Sequence, residues 1–201
     1  MSTLNVTNIK AADGTSGLSI ANSTGVVTAT KEIVNSDYIL DNWRINNNFN
    51  PNGLGLTGNT VVDRYWERFT RTGTAQIGTQ MQEASGVFTF PKTGLYLVKF
   101  NANMSVATGA ADEIIYIETT TNNSTYIKMA ISQFGGVSGG ASDNSVICET
   151  LVNVTDVTNV KVRFRVDGFE SATELHGAAN SSAANGFART QVFFERKGPS
   201  Q

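Results

Sequence analysis

The sequence predicts an all-β protein: a short N-terminal shaft-like β segment, then a β-sandwich or jelly-roll head, assembled as a homotrimer. Three observations predict it. Short runs alternate apolar and polar residues, most cleanly where Val160, Val162, Phe164 and Val166 alternate with Lys161, Arg163, Arg165 and Asp167. A period of two sends one set of side chains to a core and the other to solvent. Clusters of Gly, Asn and Ser punctuate these runs as turns. Charged residues make up only 16% of the 201-residue chain, against about 25% in typical soluble domains. Its polarity comes instead from short side chains that suit strands and turns.

Residues 1–34 read as short strands. Leu4 and Val6 alternate with polar neighbours, Asp13 to Gly17 forms a turn, and Leu18 and Ile20 alternate next. Asn22 to Gly25 turns the chain again before Val26, Val27 and Ile33. Two or three apolar side chains per strand do not offset the cost of ordering the backbone, about 1–2 kcal/mol per residue. Three copies wound about one axis would bury each other's apolar edges; the alternative is a flexible tail.

Residues 35–60 read as a linker anchored by Trp43, with turn chemistry from Asn46 to Gly53. The head spans residues 61–201. Val61 to Phe69 has helical spacing but aromatic and β-branched content, which favours a strand. Val87 to Phe90 is a strand ending at Pro91. Tyr96, Val98, Phe100, Ala102 and Met104 fall on one face, the expected core face. Ile114 to Ile117 reads as a buried strand, Ile127, Met129 and Ile131 alternate, and Val146 to Val154 forms a strand holding Cys148. Phe187 to Arg196 closes the chain. About eight such strands without a helix make a sandwich or jelly roll. Two long loops interrupt the pattern, Gly135 to Asn144 and Gly168 to Gly186, and loops of that size often carry function.

Composition narrows the function. A net charge of −2 with scattered basic residues gives no footprint for nucleic acid or a membrane surface. No apolar stretch is long enough to span a bilayer, and the first residues lack the pattern of a secretory signal. The single cysteine, Cys148, allows no intrachain disulfide and is expected as a buried small hydrophobe. The Asn-x-Ser/Thr sites at Asn5, Asn22, Asn123, Asn153 and Asn180 are expected chance matches in a chain rich in those residues.

Catalytic constellations are absent from the pattern. His176 is the only histidine, no Gly-x-Ser-x-Gly elbow accompanies it, and Gly135 to Gly140 lacks the Lys of a phosphate loop. Asp112 and Glu113 are adjacent, so a strand would face them apart. No cofactor is expected. Calcium is the one ion left open, through Asp143, Asn144, Asp167 and Glu170, because it takes 6–8 oxygens from several loops.

Gly86-Val87-Phe88-Thr89-Phe90-Pro91-Lys92-Thr93-Gly94-Leu95-Tyr96 resembles the corresponding stretch of complement-type, tumour-necrosis-factor-like jelly-roll heads, and the closing aromatic strand is similar too. Three further stretches resemble a module in tail-fibre and virion proteins of marine, cyanobacterial phages: Asp41 to Ile45, Trp66 to Pro91, and Ile117 to Ser124. The resemblance implies a non-enzymatic homotrimer on the virion exterior, attached to other virion proteins through its N-terminal segment. Its head would contact a host-surface glycan or protein through Phe169, Glu170, Leu175 and His176. A capsid or tail decoration protein is the structural alternative. A depolymerase would need acidic pairs in a cleft, and the 17 acidic residues are not clustered.

Overall fold

The computed structural model describes residues 8–10, 16–20, 27–29, 38–70, 76–109, 112–135, 140, 142–170, 172–177 and 188–201. The chain divides into two compact units, Met1–Ser36 and Asp37–Gln201.

In the first unit, β1 (Asn8–Lys10), β2 (Ser16–Ile20) and β3 (Val27–Ala29) form an antiparallel sheet in the order β1-β2-β3. Ser16 and Gly17, expected in a turn, already belong to β2. Leu4, Val6, Val26 and Ile33 lie outside the described residues.

The second unit contains the remaining strands. They are β4 (Leu40–Ile45), β5 (Thr60–Val61), β6 (Trp66–Arg68), β7 (Gln82–Ala84), β8 (Val87–Thr89), β9 (Gly94–Val106) and β10 (Asp112–Thr120). There follow β11 (Ile127–Gly135), β12 (Ser142–Val154), β13 (Lys161–Asp167), β14 (Glu174–Leu175) and β15 (Gln191–Gly198). One sheet runs β11-β10-β13-β8-β7, with β5 also on β13. The other runs β12-β9-β15-β4-β6, with β14 also on β9. Every pairing is antiparallel, and the two sheets face each other as a jelly-roll sandwich.

Alternation does what the sequence predicts in the long strands. On β9 Tyr96, Val98, Phe100, Ala102 and Met104 are fully buried, and on β13 Val162, Phe164 and Val166 are as well. Between the sheets sits an aromatic cluster. Phe164 lies 5.0 Å from Phe100 and 5.4 Å from Phe88, and Phe88 lies 5.4 Å from both Trp43 and Trp66. Edge and tilted ring pairs at such distances add about 0.5–1.5 kcal/mol each beyond area burial.

Residues expected as a linker are instead part of the head. Leu40–Ile45 is strand β4, hydrogen-bonded between β15 and β6. The physical reason is the side chains it carries: Ile39, Trp43 and Ile45 are buried, and an apolar strand with free backbone groups on both edges is costly outside a sheet. Val61 to Phe69, expected as one strand, is split. Tyr65 takes a left-handed φ of 69° between β5 and β6, which bends the chain from one sheet to the other. The closing strand starts at Gln191, and Phe187 lies outside the described residues.

The fastener of β4 is Asp41, a fully buried carboxylate. It accepts hydrogen bonds from the Asn42 amide (3.0 Å), the Trp43 indole (3.1 Å) and the Met81 amide (2.9 Å), and pairs with Arg68 at 3.3 Å. Arg68 in turn stacks over the Trp43 ring at 4.5 Å. A buried charge is tolerated when paired and hydrogen-bonded in this way.

Candidate interaction surface

The segment after β13 was the expected contact tip, and the structure separates its four residues. Gly168 turns it with φ 75°, and a side chain there would overlap the Asp112 carbonyl oxygen. Phe169 is buried (2% exposed), its carbonyl held by the Asn52 side chain at 2.7 Å. Leu175 is fully buried: it pairs with Met104 on β9 and exchanges backbone hydrogen bonds with Phe49. Both belong to the core, which corrects their expected role as contacts: an apolar side chain in a polar loop is an anchor when the loop folds back onto the sheet. Glu170 is exposed. His176 is largely covered, with Nε2 3.0 Å from Asp143 Oδ1 and Nδ1 4.0 Å from Glu174 Oε1. Glu174 also accepts a hydrogen bond from Asn48 at 2.5 Å.

Asp143, Asn144, Asp167 and Glu170 do not gather around one point. Asp143 faces His176, Asn144 donates to the Ser142 hydroxyl, and Asp167 accepts from the Gly168 amide and the Tyr116 hydroxyl. No group of three or more His, Cys, Asp or Glu suited to a metal occurs among the described residues.

Beneath the tip, Glu113 is fully buried. Its Oε1 accepts from the Thr173 hydroxyl at 3.0 Å, while Oε2 has no hydrogen-bond partner. Burial raises its pKa, and the nearby Glu170 and Asp112 charges act in the same direction, against the lowering effect of the Thr173 hydrogen bond. Cys148 is buried, and burial pushes its thiol up to about 12. A thiol so placed is not a nucleophile.

The unexpected surface lies at the side of the sandwich. Ile127 (56% exposed), Met129 (43%) and Ile131 (57%) project from β11, and Ile147 (54%) and Leu151 (53%) from β12. β11 and β12 are edge strands of opposite sheets and lie against each other. Ile127, Met129 and Ile131 alternate just as core positions do, and alternation alone does not say which face is covered. The signal that distinguishes β12 is apolar residues on both parities: Val146, Cys148, Val152 and Val154 point inward while Ile147 and Leu151 point out. A strand written that way expects cover on both faces.

Leu151 lies on the outer face of its sheet, where its cross-strand neighbour is Leu97. There a depression of about 240 Å³ is lined by Leu40, Leu97, Lys99, Phe193 and Glu195. Its charges are matched locally: Lys99 pairs with Glu149 at 3.1 Å, and Glu195 with Lys197 at 2.6 Å.

No family model matches the chain, and no curated protein matches it. Solved structures do. The crystal structure of murine APRIL at pH 5.0 aligns with a TM-score of 0.54 at 10% identity, covering 79% of this chain and 98% of that one. The pH 8.5 structure of murine APRIL gives 0.52 at 9% identity with the same coverage. The likeness is one of fold, and it matches the tumour-necrosis-factor-like jelly roll expected from Gly86 to Tyr96.

Proposed function

We propose that this chain is a non-enzymatic attachment protein of a phage exterior, a homotrimeric fibre or spike whose jelly-roll head contacts the host surface. One observation carries the trimer: five half-exposed aliphatic side chains, Ile127, Met129, Ile131, Ile147 and Leu151, project from the edge strands β11 and β12. At about half exposure they present on the order of 500 Å² of apolar surface in all, and large apolar side chains left exposed together mark interfaces. The virion setting rests on the resemblance of Asp41 to Ile45, Trp66 to Pro91 and Ile117 to Ser124 to marine phage fibre modules. The non-enzymatic reading is supported by the dispersal of the acidic residues and by the solitary His176, which sits in a hydrogen-bonded tip.

Of the tip residues, Glu170 and the rim around Asp143 and His176 remain as contact candidates for a host glycan or protein. Phe169 and Leu175 act by holding that rim in place. Three weak sites on one trimer raise avidity by roughly 10²–10⁴ over one. Labelled protein should bind cyanobacterial cells, and E170A/D143A should weaken that binding while leaving the head folded. Equal binding by the variant would remove the tip from the account.

The separate N-terminal unit favours a second reading, a capsid or tail decoration protein clamped to neighbouring subunits by residues 1–34. Immunogold labelling of particles separates the two. Label on the tail supports the fibre, label over the shell supports decoration, and no label on any particle refutes both.

A further inference from the structure

We propose that Glu113 is a proton-controlled latch for the tip: as a neutral acid it holds the turn between Glu170 and Thr173 down on the head, and once ionised it lets that turn lift. As a control on host contact the latch rests on the attachment reading above; as a motion of the tip it stands on the geometry of Glu113.

Glu113 sits near the start of β10, and its side chain is fully buried. The Thr173 hydroxyl ties it to the tip. That hydroxyl donates to Glu113 Oε1 at 3.0 Å and accepts from the Ala107 amide, just past β9, at 3.1 Å. Thr173 is itself fully buried, and its amide closes a turn on the Glu170 carbonyl at 2.8 Å. One hydroxyl so joins the tip to β10 in one sheet and to the end of β9 in the other.

A buried carboxylate needs several donors to stay ionised. Among the described residues Thr173 supplies one to Oε1, and Oε2 has none. The charges that bear on Glu113 most are Glu170 on the tip and Asp112 beside it on β10, and both repel it. Burial is the larger influence and acts in the same direction. The other described charges at this end of the head are engaged elsewhere. Asp167, at the end of β13, lies on the opposite face, held by the Tyr116 hydroxyl and the Gly168 amide. Glu174, His176 and Asp143 engage one another and Asn48. β11 sets Phe134 opposite Glu113. Loss of the proton therefore leaves a buried charge short of donors. Lifting the turn lets water reach Oε2 and carries the repelling Glu170 charge away. Phe169 and Leu175 are anchored in the core and bound the motion on either side.

The sign follows from the raised pKa of the closed state. The latch is shut below the ordinary carboxyl value of 4.5 and loosens as pH rises from there through the raised value.

The test is hydrogen–deuterium exchange of the full chain between pH 4 and 8, read at Ala107 and Thr173 and corrected for the intrinsic pH dependence of exchange. Wild-type protection should fall by up to about tenfold per pH unit between the ordinary and the raised carboxyl values. Glu113→Gln should show no such fall. Glu170→Gln, a change at an exposed site, should shrink it and serves if the first variant fails to fold. Wild-type protection that does not change with pH, or the same fall in Glu113→Gln, overturns the latch and leaves host attachment standing. Calcium alone restoring protection at pH 8 in the wild type and not in Glu113→Gln makes Oε2 a metal ligand and also overturns it. A pH-dependent tip on a protein that binds no cells leaves the latch standing as a motion and sinks the attachment reading.

Discussion

Replacing Asp41 by alanine should be among the most damaging single changes in the head. The substitution leaves the Trp43 indole and the Met81 amide as buried donors without an acceptor, and each orphaned donor costs about 1–3 kcal/mol. It also removes the partner of Arg68, whose side chain is only 23% exposed. Breaking a buried pair by removing one member typically costs about 3–5 kcal/mol, and because the losses share one site they do not add. The expected total is about 3–5 kcal/mol. At about 2–4 °C per kcal/mol for a unit of this size, the Tm should fall by roughly 6–20 °C. Asp41→Asn keeps the volume and one acceptor and should fall between the alanine variant and the parent. The assay is thermal unfolding followed by circular dichroism at one fixed protein concentration, since association shifts Tm by mass action. The double variant D41A/R68A should lose less than the sum of the singles, because deleting Arg68 removes the stranded cation. A D41A Tm within a few degrees of the parent would refute the role of Asp41 as the fastener of β4.

Two further predictions concern the tip. Glu113 has a raised pKa in the folded protein, so folding favours its protonated form. Its contribution is fully present below the unfolded carboxyl value of 4.5 and is lost as pH rises through the raised folded value. Urea midpoints of Glu113→Gln should therefore gain on the parent as pH rises from 4 towards neutrality, and a parallel pair of curves would contradict the burial argument. Gly168→Ala should destabilise the head by about 1–3 kcal/mol, since φ 75° strains an alanine and its Cβ meets the Asp112 carbonyl. A neutral Gly168→Ala in the same urea assay would show that the turn relaxes freely.

The long two-faced strands were legible because a single periodicity decides them. β9 and β13 place every apolar residue of the alternating set in the core, and the fold class follows from counting such strands. β4 was not legible because the turn-rich Asn46 to Gly53 stretch beside it reads as linker, while its partners β15 and β6 are remote in sequence. The split at Tyr65 depends on one left-handed residue, which carries no signal when the residue is not glycine. At the tip, Phe169 and Leu175 read as contacts because the long loop that holds them is rich in Gly, Ala, Ser and Asn. Their burial depends on contacts to Asn52 and Phe49, more than a hundred residues away. On the β11–β12 flank the apolar pattern was visible and its meaning was not, since exposure there depends on which strands end each sheet.

The central claim, that the head is built to assemble on its apolar flank, is tested most directly by multi-angle light scattering of the purified full chain at micromolar concentration. The account predicts a single species of three chain masses, each 21.5 kDa, converted to smaller species by Ile131→Lys. A parent protein that stays at one chain mass across the concentration range would contradict it.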